Sequence, residues 1–194
     1  MTNALRSDQS SKVAASVEET GRAAAPVDLR ELFSMHAPYV WNTLRRLGAP
    51  RPDLEDLTHE VFLHVQRHLG EYDPARPVKP WLFGFAFRIA SAHRRRAHRR
   101  REVLDHGQTE EAVDPASRPD ERLAAAEDRR LVLEALDAID LDRRAVFVLY
   151  EIDGVPMNEI ARALGIPVNT AYSRLRVARS EFAAAVKRLR RGEP

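Results

Sequence analysis

The 194-residue chain contains no cysteine. This absence excludes disulfide bonds, thiol-based redox sensing and zinc sites built on cysteine ligands. The sequence also has no apolar run long enough to cross a membrane, and its amino terminus lacks the apolar core of a signal peptide. The expectation from these absences is a soluble, cytoplasmic protein.

The chain likewise has no large excess of one charge. Its formal net charge is +2, so total charge alone does not predict a nucleic-acid partner. The distribution of charge is more informative, because basic residues are concentrated at 93–101 and again at 187–191, with an acidic stretch from 102 to 121 between them. This pattern indicates two contact surfaces held apart by a solvated connector.

Helical spacing of apolar residues, without strand-like alternation, predicts an all-α fold. We expect two small helical domains joined by a flexible linker. Residues 1–27 have almost no large apolar side chains and are predicted to be a disordered tail. The first domain is assigned to residues 28–101, the acidic linker to 102–118 and the second domain to 119–191.

Breaking and capping residues set the predicted helix boundaries. In the first domain, we predict one helix over Asp28–Leu47, kinked at Pro38. A second is predicted over Leu54–Leu69 with Asp53 as its N-cap, and a third begins near Pro80 and runs through the arginine cluster. In the second domain, an aspartate at position 140 is the expected cap of a helix over 141–152.

The segment Val155–Arg179 is the most informative part of the chain. Its apolar residues have helical spacing on both sides of a Gly-Ile-Pro break at 165–167, which predicts a helix-turn-helix. The second helix carries side chains suited to base edges and phosphates. An αα-hairpin with a solvated arginine face is the alternative. The candidate DNA-binding residues are Asn169, Thr170, Tyr172, Ser173, Arg174, Arg176 and Arg179.

A second candidate nucleic-acid site combines aromatic residues with arginines. Trp81, Phe83, Phe85 and Phe87 immediately precede the basic run. Aromatic walls can hold an unstacked base while guanidinium groups hold the flanking phosphates, which is the composition expected where a protein grips melted DNA. For most of these aromatic residues, a place in the hydrophobic core is the simpler interpretation.

The predicted second helix carries acidic residues opposite its apolar stripe. They either complement the helix dipole or form a face that docks a partner, with exposed acids around Phe62. The acidic residues are Asp53, Glu55, Asp56 and Glu60.

The same helix offers a metal-site alternative. Glu60, His64 and His68 lie one turn apart and would suit a metal-dependent hydrolase. The sequence has neither a Gly-rich phosphate loop nor a nucleophile cluster to support a catalytic site. We therefore expect no enzymatic activity, no metal and no cofactor.

Four motifs in order resemble the extracytoplasmic-function (ECF) class of RNA polymerase sigma factors, within the sigma-70 superfamily. They are DLEDLTHEVFLHV, the run from YDP through PWLFGFAFRIA to the arginines, LEALDAIDLDRRAVFVLYEIDGV, and the helix-turn-helix. The resemblance covers roughly Leu29–Leu189.

The resemblance implies a role for each site. The first domain would be sigma region 2, which binds the polymerase clamp and recognises and melts the downstream (−10) promoter element. The second would be sigma region 4, which reads the upstream (−35) element. The implied polymerase-binding residues are Asp53, Asp56, Glu60 and Phe62, and the implied −10 residues are Trp81, Arg88, Arg94, Arg95, Arg96 and Arg99.

Partners follow from the same resemblance. It implies that a free monomer binds the clamp and flap of core RNA polymerase and promoter DNA, and that an anti-sigma factor supplies control in response to a stress or envelope signal. Gly84 and Arg88 depart from the family pattern, so no −10 sequence preference is transferred. The alternative function is a stand-alone helix-turn-helix repressor or activator.

Overall fold

A computed structural model describes residues 28–103 and 121–192, which form seven α-helices and no strand. The predicted all-α class is therefore confirmed. The predicted tail at 1–27 lies outside the described residues, as do positions 104–118 of the predicted linker. The helices are α1 (Leu29–Arg46), α2 (Leu54–Arg67), α3 (Val78–Val103), α4 (Glu121–Asp137), α5 (Leu141–Phe147), α6 (Met157–Leu164) and α7 (Val168–Arg190).

Helix α1 agrees with its predicted bounds to one residue at each end. It begins after Asp28, whose carboxylate accepts a hydrogen bond from the Arg30 N–H at 3.0 Å and so caps the first turn. The helix continues through Pro38, although proline supplies no backbone donor. Packing of its buried face, which includes Val40 and Leu44, holds the helix across that position.

The predicted boundaries of α2 and α3 need three corrections. Asp53 precedes α2 but makes no capping hydrogen bond, because its carboxylate faces His93 of α3 instead, at 3.0 Å. Helix α2 ends at Arg67, and Leu69 belongs to a separate 3-10 turn. Helix α3 starts two residues before Pro80 and runs two residues into the predicted linker.

Helices α1, α2 and α3 pack as one bundle. Its centre is made of aliphatic side chains from all three helices, together with one of the aromatic residues that precede the arginines. That burial supplies the main driving force for folding of a helical bundle. The fully buried members are Val40, Leu44, Leu54, Val61, Val65, Leu82 and Phe83.

Helices α4 to α7 form the second bundle. Asp140 caps α5 as predicted, accepting from the Asp142 N–H at 3.1 Å. The predicted helix over 141–152 is correct in extent but not uniform, because Val148–Ile152 is a π-helical turn. Gly165 ends α6 in the left-handed conformation, at φ 66°, and Pro167 begins α7 with its fixed φ.

A buried arginine joins the second bundle to the end of α1. Arg144 is 3% exposed and donates to the Asp137 carboxylate at 2.7 Å and to the carbonyls of Asp137 and Ile139 at 3.0 Å. Burial lowers the pKa of its guanidinium, and the Asp137 carboxylate opposes that shift. Its head group lies against Gly48, whose φ of +86° and lack of a side chain make room for it.

Candidate nucleic-acid interface

Helix α7, the second helix of the predicted helix-turn-helix, is oriented by its small and apolar residues. Ala171, Leu175 and Ala178 are at most 3% exposed and fix the face that packs on α5 and α6. Most of the candidate DNA-binding residues consequently lie outside that face. Tyr172 is 55% exposed, and Thr170 and Arg174 are half-buried. The remaining candidates are exposed: Asn169, Ser173, Arg176 and Arg179.

Two of the α7 arginines are held by carboxylates of their own domain. Arg174 donates to the Asp142 carboxylate at 2.8 Å, and Arg179 donates to Glu151 at 2.6 Å. The Arg179 guanidinium also lies 5.4 Å from the ring of Tyr150. Since these ion pairs are partly exposed, they are weak enough to be exchanged for phosphate contacts. Sequence analysis did not anticipate them, because they join residues 28 or more positions apart.

Trp81 and Arg88 are brought to one face of α3 by an aromatic cluster. The Trp81 ring lies 4.7 Å from Tyr72 and 5.1 Å, edge to face, from Phe85. The Arg88 guanidinium lies 4.6 Å from the Phe85 ring, and partial burial lowers its pKa. This surface combines an aromatic ring with a guanidinium group, and proteins that bind single-stranded nucleic acid use the same combination. Tyr72 was missed as a candidate, although its YDP motif precedes the helix.

The basic run extends the same helix beyond the aromatic cluster. Arg94, Arg95, Arg96 and Arg99 are all exposed on the last turns of α3 whose side chains are described. Arg96 lies 3.7 Å from the Glu60 carboxylate of α2. The predicted DNA and polymerase surfaces are therefore neighbours, since two of the acidic candidates on or before α2 pair with α3.

The acidic candidates differ in their availability to a partner. Asp56 is exposed, whereas Asp53 and Glu60 are half-buried. Phe62 is only 5% exposed and packs edge-on against Phe33, with ring centroids 4.7 Å apart. The ring of Phe62 therefore belongs to the core and offers a partner little surface, and its part in polymerase binding stays a prediction.

Two other apolar side chains are exposed on or beside α2. Phe33 is 36% exposed and Leu63 is 55% exposed. They border an apolar groove of about 480 Å³ together with Leu29, His59 and Gln66. Sequence reasoning missed both residues, although Leu63 is recognisable as the apolar residue that lies outside the helical stripe of α2.

The metal alternative has little geometric support. The His68 ring nitrogen Nδ1 hydrogen-bonds the His64 carbonyl at 2.8 Å, and its ring packs 5.5 Å from Phe85. Glu60 faces Arg96 instead. Within 28–103 and 121–192, no group of three or more potential metal ligands comes together.

Comparisons with known proteins match both bundles. The model of sigma-70 region 2 matches residues 32–102, and that of sigma-70 region 4 matches residues 129–182. The ECF RNA polymerase sigma factor SigL of Mycobacterium tuberculosis is 34% identical over 163 residues, which cover 82% of this chain and 89% of SigL. This chain belongs to the ECF sigma factors. The sigma factor CarQ of Myxococcus xanthus is 33% identical over 157 residues, covering 80% of this chain and 87% of CarQ.

Solved structures agree on the fold of this sigma factor. The sigma factor RpoE of Bartonella quintana, in complex with the anti-sigma factor NepR, aligns with a TM-score of 0.68 at 20% identity, covering 82% of this chain and 97% of that one. CnrH in complex with the cytosolic domain of CnrY aligns with a TM-score of 0.56 at 23% identity, covering 82% and 87%. Within the described parts of the sigma factor, no helix is long and apolar enough to span a membrane.

Proposed function

We propose that this sigma factor binds core RNA polymerase and directs it to promoters, with no catalytic activity of its own. The observation that supports the proposal is the presence on one chain of two surfaces whose side chains suit two different forms of nucleic acid. One is a recognition helix suited to duplex DNA, and the other is an aromatic and basic face suited to melted DNA. Initiation at a two-part promoter needs both.

The α7 surface is proposed to read the −35 element. The first turns of a recognition helix contact bases, so Asn169, Thr170, Ser173 and Arg174 are the base-reading candidates. Arg176 and Arg179 would hold phosphates. The α3 surface is proposed to hold the −10 element, with Trp81 and Arg88 at the unstacked strand and the exposed arginines of the basic run along its backbone.

The polymerase is proposed to dock on α1 and α2 of the first bundle, next to the α3 surface. Asp56 supplies an exposed charge, while Phe33 and Leu63 supply an exposed apolar contact. Phe62 would act indirectly, because its buried ring supports Phe33. The proposed partners are the clamp and flap of core RNA polymerase, promoter DNA and an anti-sigma factor. The anti-sigma factor would control the chain in response to a stress or envelope signal. The site of action would be the cytoplasm, where polymerase is found.

The direct test is size-exclusion chromatography of the full chain with bacterial core polymerase at micromolar concentration, followed by transcription from a genomic DNA library. We expect a stoichiometric complex and discrete transcript starts that core polymerase alone does not give. Binding of the free chain to a palindromic operator, without any association with polymerase, would contradict the proposal and identify a stand-alone repressor.

Asp56→Ala and Leu63→Ala probe the docking surface, and each should lower the yield of complex. Arg67→Ala is the matched control, since Arg67 is also an exposed residue of α2 but does not border the apolar groove. Equal loss of complex in all three variants would mean that the binding surface lies elsewhere.

A further inference from the structure

Helix α7 carries two exposed apolar side chains in its first two turns. Val168, the first residue of the helix, is 41% exposed, and Tyr172 is 55% exposed. They are four residues apart, so their Cβ atoms lie about 5–6 Å from each other on the same side of the helix. Two neighbouring apolar side chains in solvent form a patch that a partner can cover, whereas a single one has no such meaning.

Tyr172 differs from the other exposed aromatic side chains in having no partner for its ring. Phe33 is 36% exposed and packs against Phe62, with ring centroids 4.7 Å apart. Tyr150 is also 36% exposed, and the Arg179 guanidinium lies 5.4 Å from its ring centroid. In the part of the chain that the structure describes, no ring or cation packs on Tyr172 in this way. Its ring is therefore available to another molecule.

Two guanidinium groups follow the apolar pair along the same side of α7. Arg176 and Arg179 come four and seven residues after Tyr172, which is the spacing of one helical face, and both are exposed. Seven residues of α-helix rise about 10.5 Å, which is close to the width of the major groove, about 12 Å. A duplex that meets Tyr172 with a base edge can therefore meet Arg179 with its phosphate backbone.

An apolar side chain can read one chemical feature of the major groove. Thymine presents a C5 methyl group there, whereas the other features of the base edges are hydrogen-bond donors and acceptors. An apolar side chain placed against that methyl removes both from water, which is favourable. Two base steps span about 6.8 Å, so side chains that lie about 5–6 Å apart suit thymines within two steps of each other.

We propose that Val168 and Tyr172 read thymine methyl groups in the upstream promoter element. The inference rests on the proposed function, which assigns α7 to the −35 element, and it adds a base preference that the polar candidates do not supply. Tyr172 makes the larger contact, through its ring rather than its hydroxyl. The positive charges of Arg176 and Arg179 beside the patch favour duplex DNA over an apolar protein surface as its occupant.

Removal of the methyl group from the DNA tests the proposal directly. In a promoter mapped with the holoenzyme, each thymine of the −35 element is replaced in turn by deoxyuridine, which keeps the hydrogen-bonding edge but lacks the methyl. Binding by the wild-type holoenzyme should weaken about fourfold at one position or more, because burial of one such group contributes about 0.8 kcal/mol. Thymines upstream of the element serve as the control and should show no dependence on the methyl.

Variants of the chain identify the side chain that reads each methyl. With Tyr172→Ala, the holoenzyme should bind the thymine and deoxyuridine promoters equally well at a sensitive position, whereas Tyr172→Phe should keep the fourfold difference. Val168→Ala should reduce the difference at the same thymine or at one within two base steps. Ile152→Ala is the matched control and should leave every difference unchanged, because Ile152 is 37% exposed on the same bundle but lies outside α7.

The proposal would be overturned if no deoxyuridine substitution in the −35 element weakened binding, or if Tyr172→Ala left the difference at every sensitive thymine unchanged. Loss of the complex with core polymerase in Tyr172→Ala, with the methyl dependence unaltered, would also overturn it and would identify a protein as the occupant of the patch. Failure of the proposed function gives a separate result, because the wild-type chain would then form no complex with core polymerase and give no discrete transcript starts from unmodified DNA.

Discussion

Arg174 and Asp142 offer the sharpest test of −35 recognition. In the free chain the Arg174 guanidinium donates to the Asp142 carboxylate at 2.8 Å, and the two side chains are 26% and 50% exposed. A guanidinium on the first turns of a recognition helix contributes about 1–3 kcal/mol through a bidentate base contact. A partly exposed ion pair contributes only about 0.2–1 kcal/mol. The base contact should therefore prevail on DNA.

Opposite effects are expected from removing the two partners. Arg174→Ala should weaken promoter binding by polymerase holoenzyme about 5- to 150-fold, because 1.4 kcal/mol corresponds to a factor of ten. Asp142→Asn keeps the shape of the side chain but removes its negative charge, so the guanidinium is held less strongly and promoter binding should strengthen by up to about fivefold. In the Arg174→Ala background, Asp142→Asn should give much less of that gain.

Quantitative footprinting of holoenzyme on a mapped promoter measures all four combinations. Arg143→Ala is the control for loss of one positive charge, since Arg143 pairs with Glu181 rather than with a predicted DNA contact. Complex formation with core polymerase should be the same in every variant. The assignment of Arg174 as a base contact would be refuted if Asp142→Asn weakened promoter binding. It would also be refuted if Arg174→Ala had the same effect on promoter binding as Arg143→Ala.

Three further predictions concern stability and ionisation. Arg144→Ala should lower the free energy of unfolding by about 3–5 kcal/mol in urea titrations, because buried carbonyls lose a charged donor, whereas Arg143→Ala should cost about 1 kcal/mol or less. Phe62→Ala should also cost about 3–5 kcal/mol as a core cavity, while Leu63→Ala should leave stability nearly unchanged. Burial, reinforced by a neighbouring carboxylate, raises the pKa of Tyr39 above its usual range. Ultraviolet titration should therefore show one tyrosine that stays protonated until the chain unfolds, and stability should fall as the pH rises past about 10.

Local signals predicted the helices well because they act within a few residues. Apolar spacing, Gly165 and Pro167 placed the helix-turn-helix, and Asp140 was recognised as a cap. The π-helical turn after α5 has no comparable signature, since it depends on how the chain packs. Asp53 shows the same dependence on packing, because its carboxylate is suited to capping α2 but pairs with His93 of α3 instead.

Side-chain exposure was the least predictable property of the candidate sites. Phe62 and Leu63 are consecutive and both apolar, and helical spacing puts only Phe62 on the apolar stripe of α2. It does not show that Phe33 packs over Phe62 and borders a groove beside Leu63, because that contact joins residues 29 positions apart in the sequence. The contacts between the two bundles were out of reach for the same reason.

The pairing of arginines with carboxylates of the same chain is expected to weaken the binding of the free chain to DNA. Arg174, Arg179 and Arg96 each face a carboxylate of the same chain. For duplex DNA, the logarithm of the affinity falls by about 0.9 per unit rise in the logarithm of the salt concentration for each phosphate that the protein neutralises. A guanidinium shared with a carboxylate releases fewer counterions, so each retained pair makes the salt dependence shallower. If polymerase holds both surfaces at promoter spacing, we expect all three pairs to be exchanged for DNA contacts together, which a single isolated surface would not achieve.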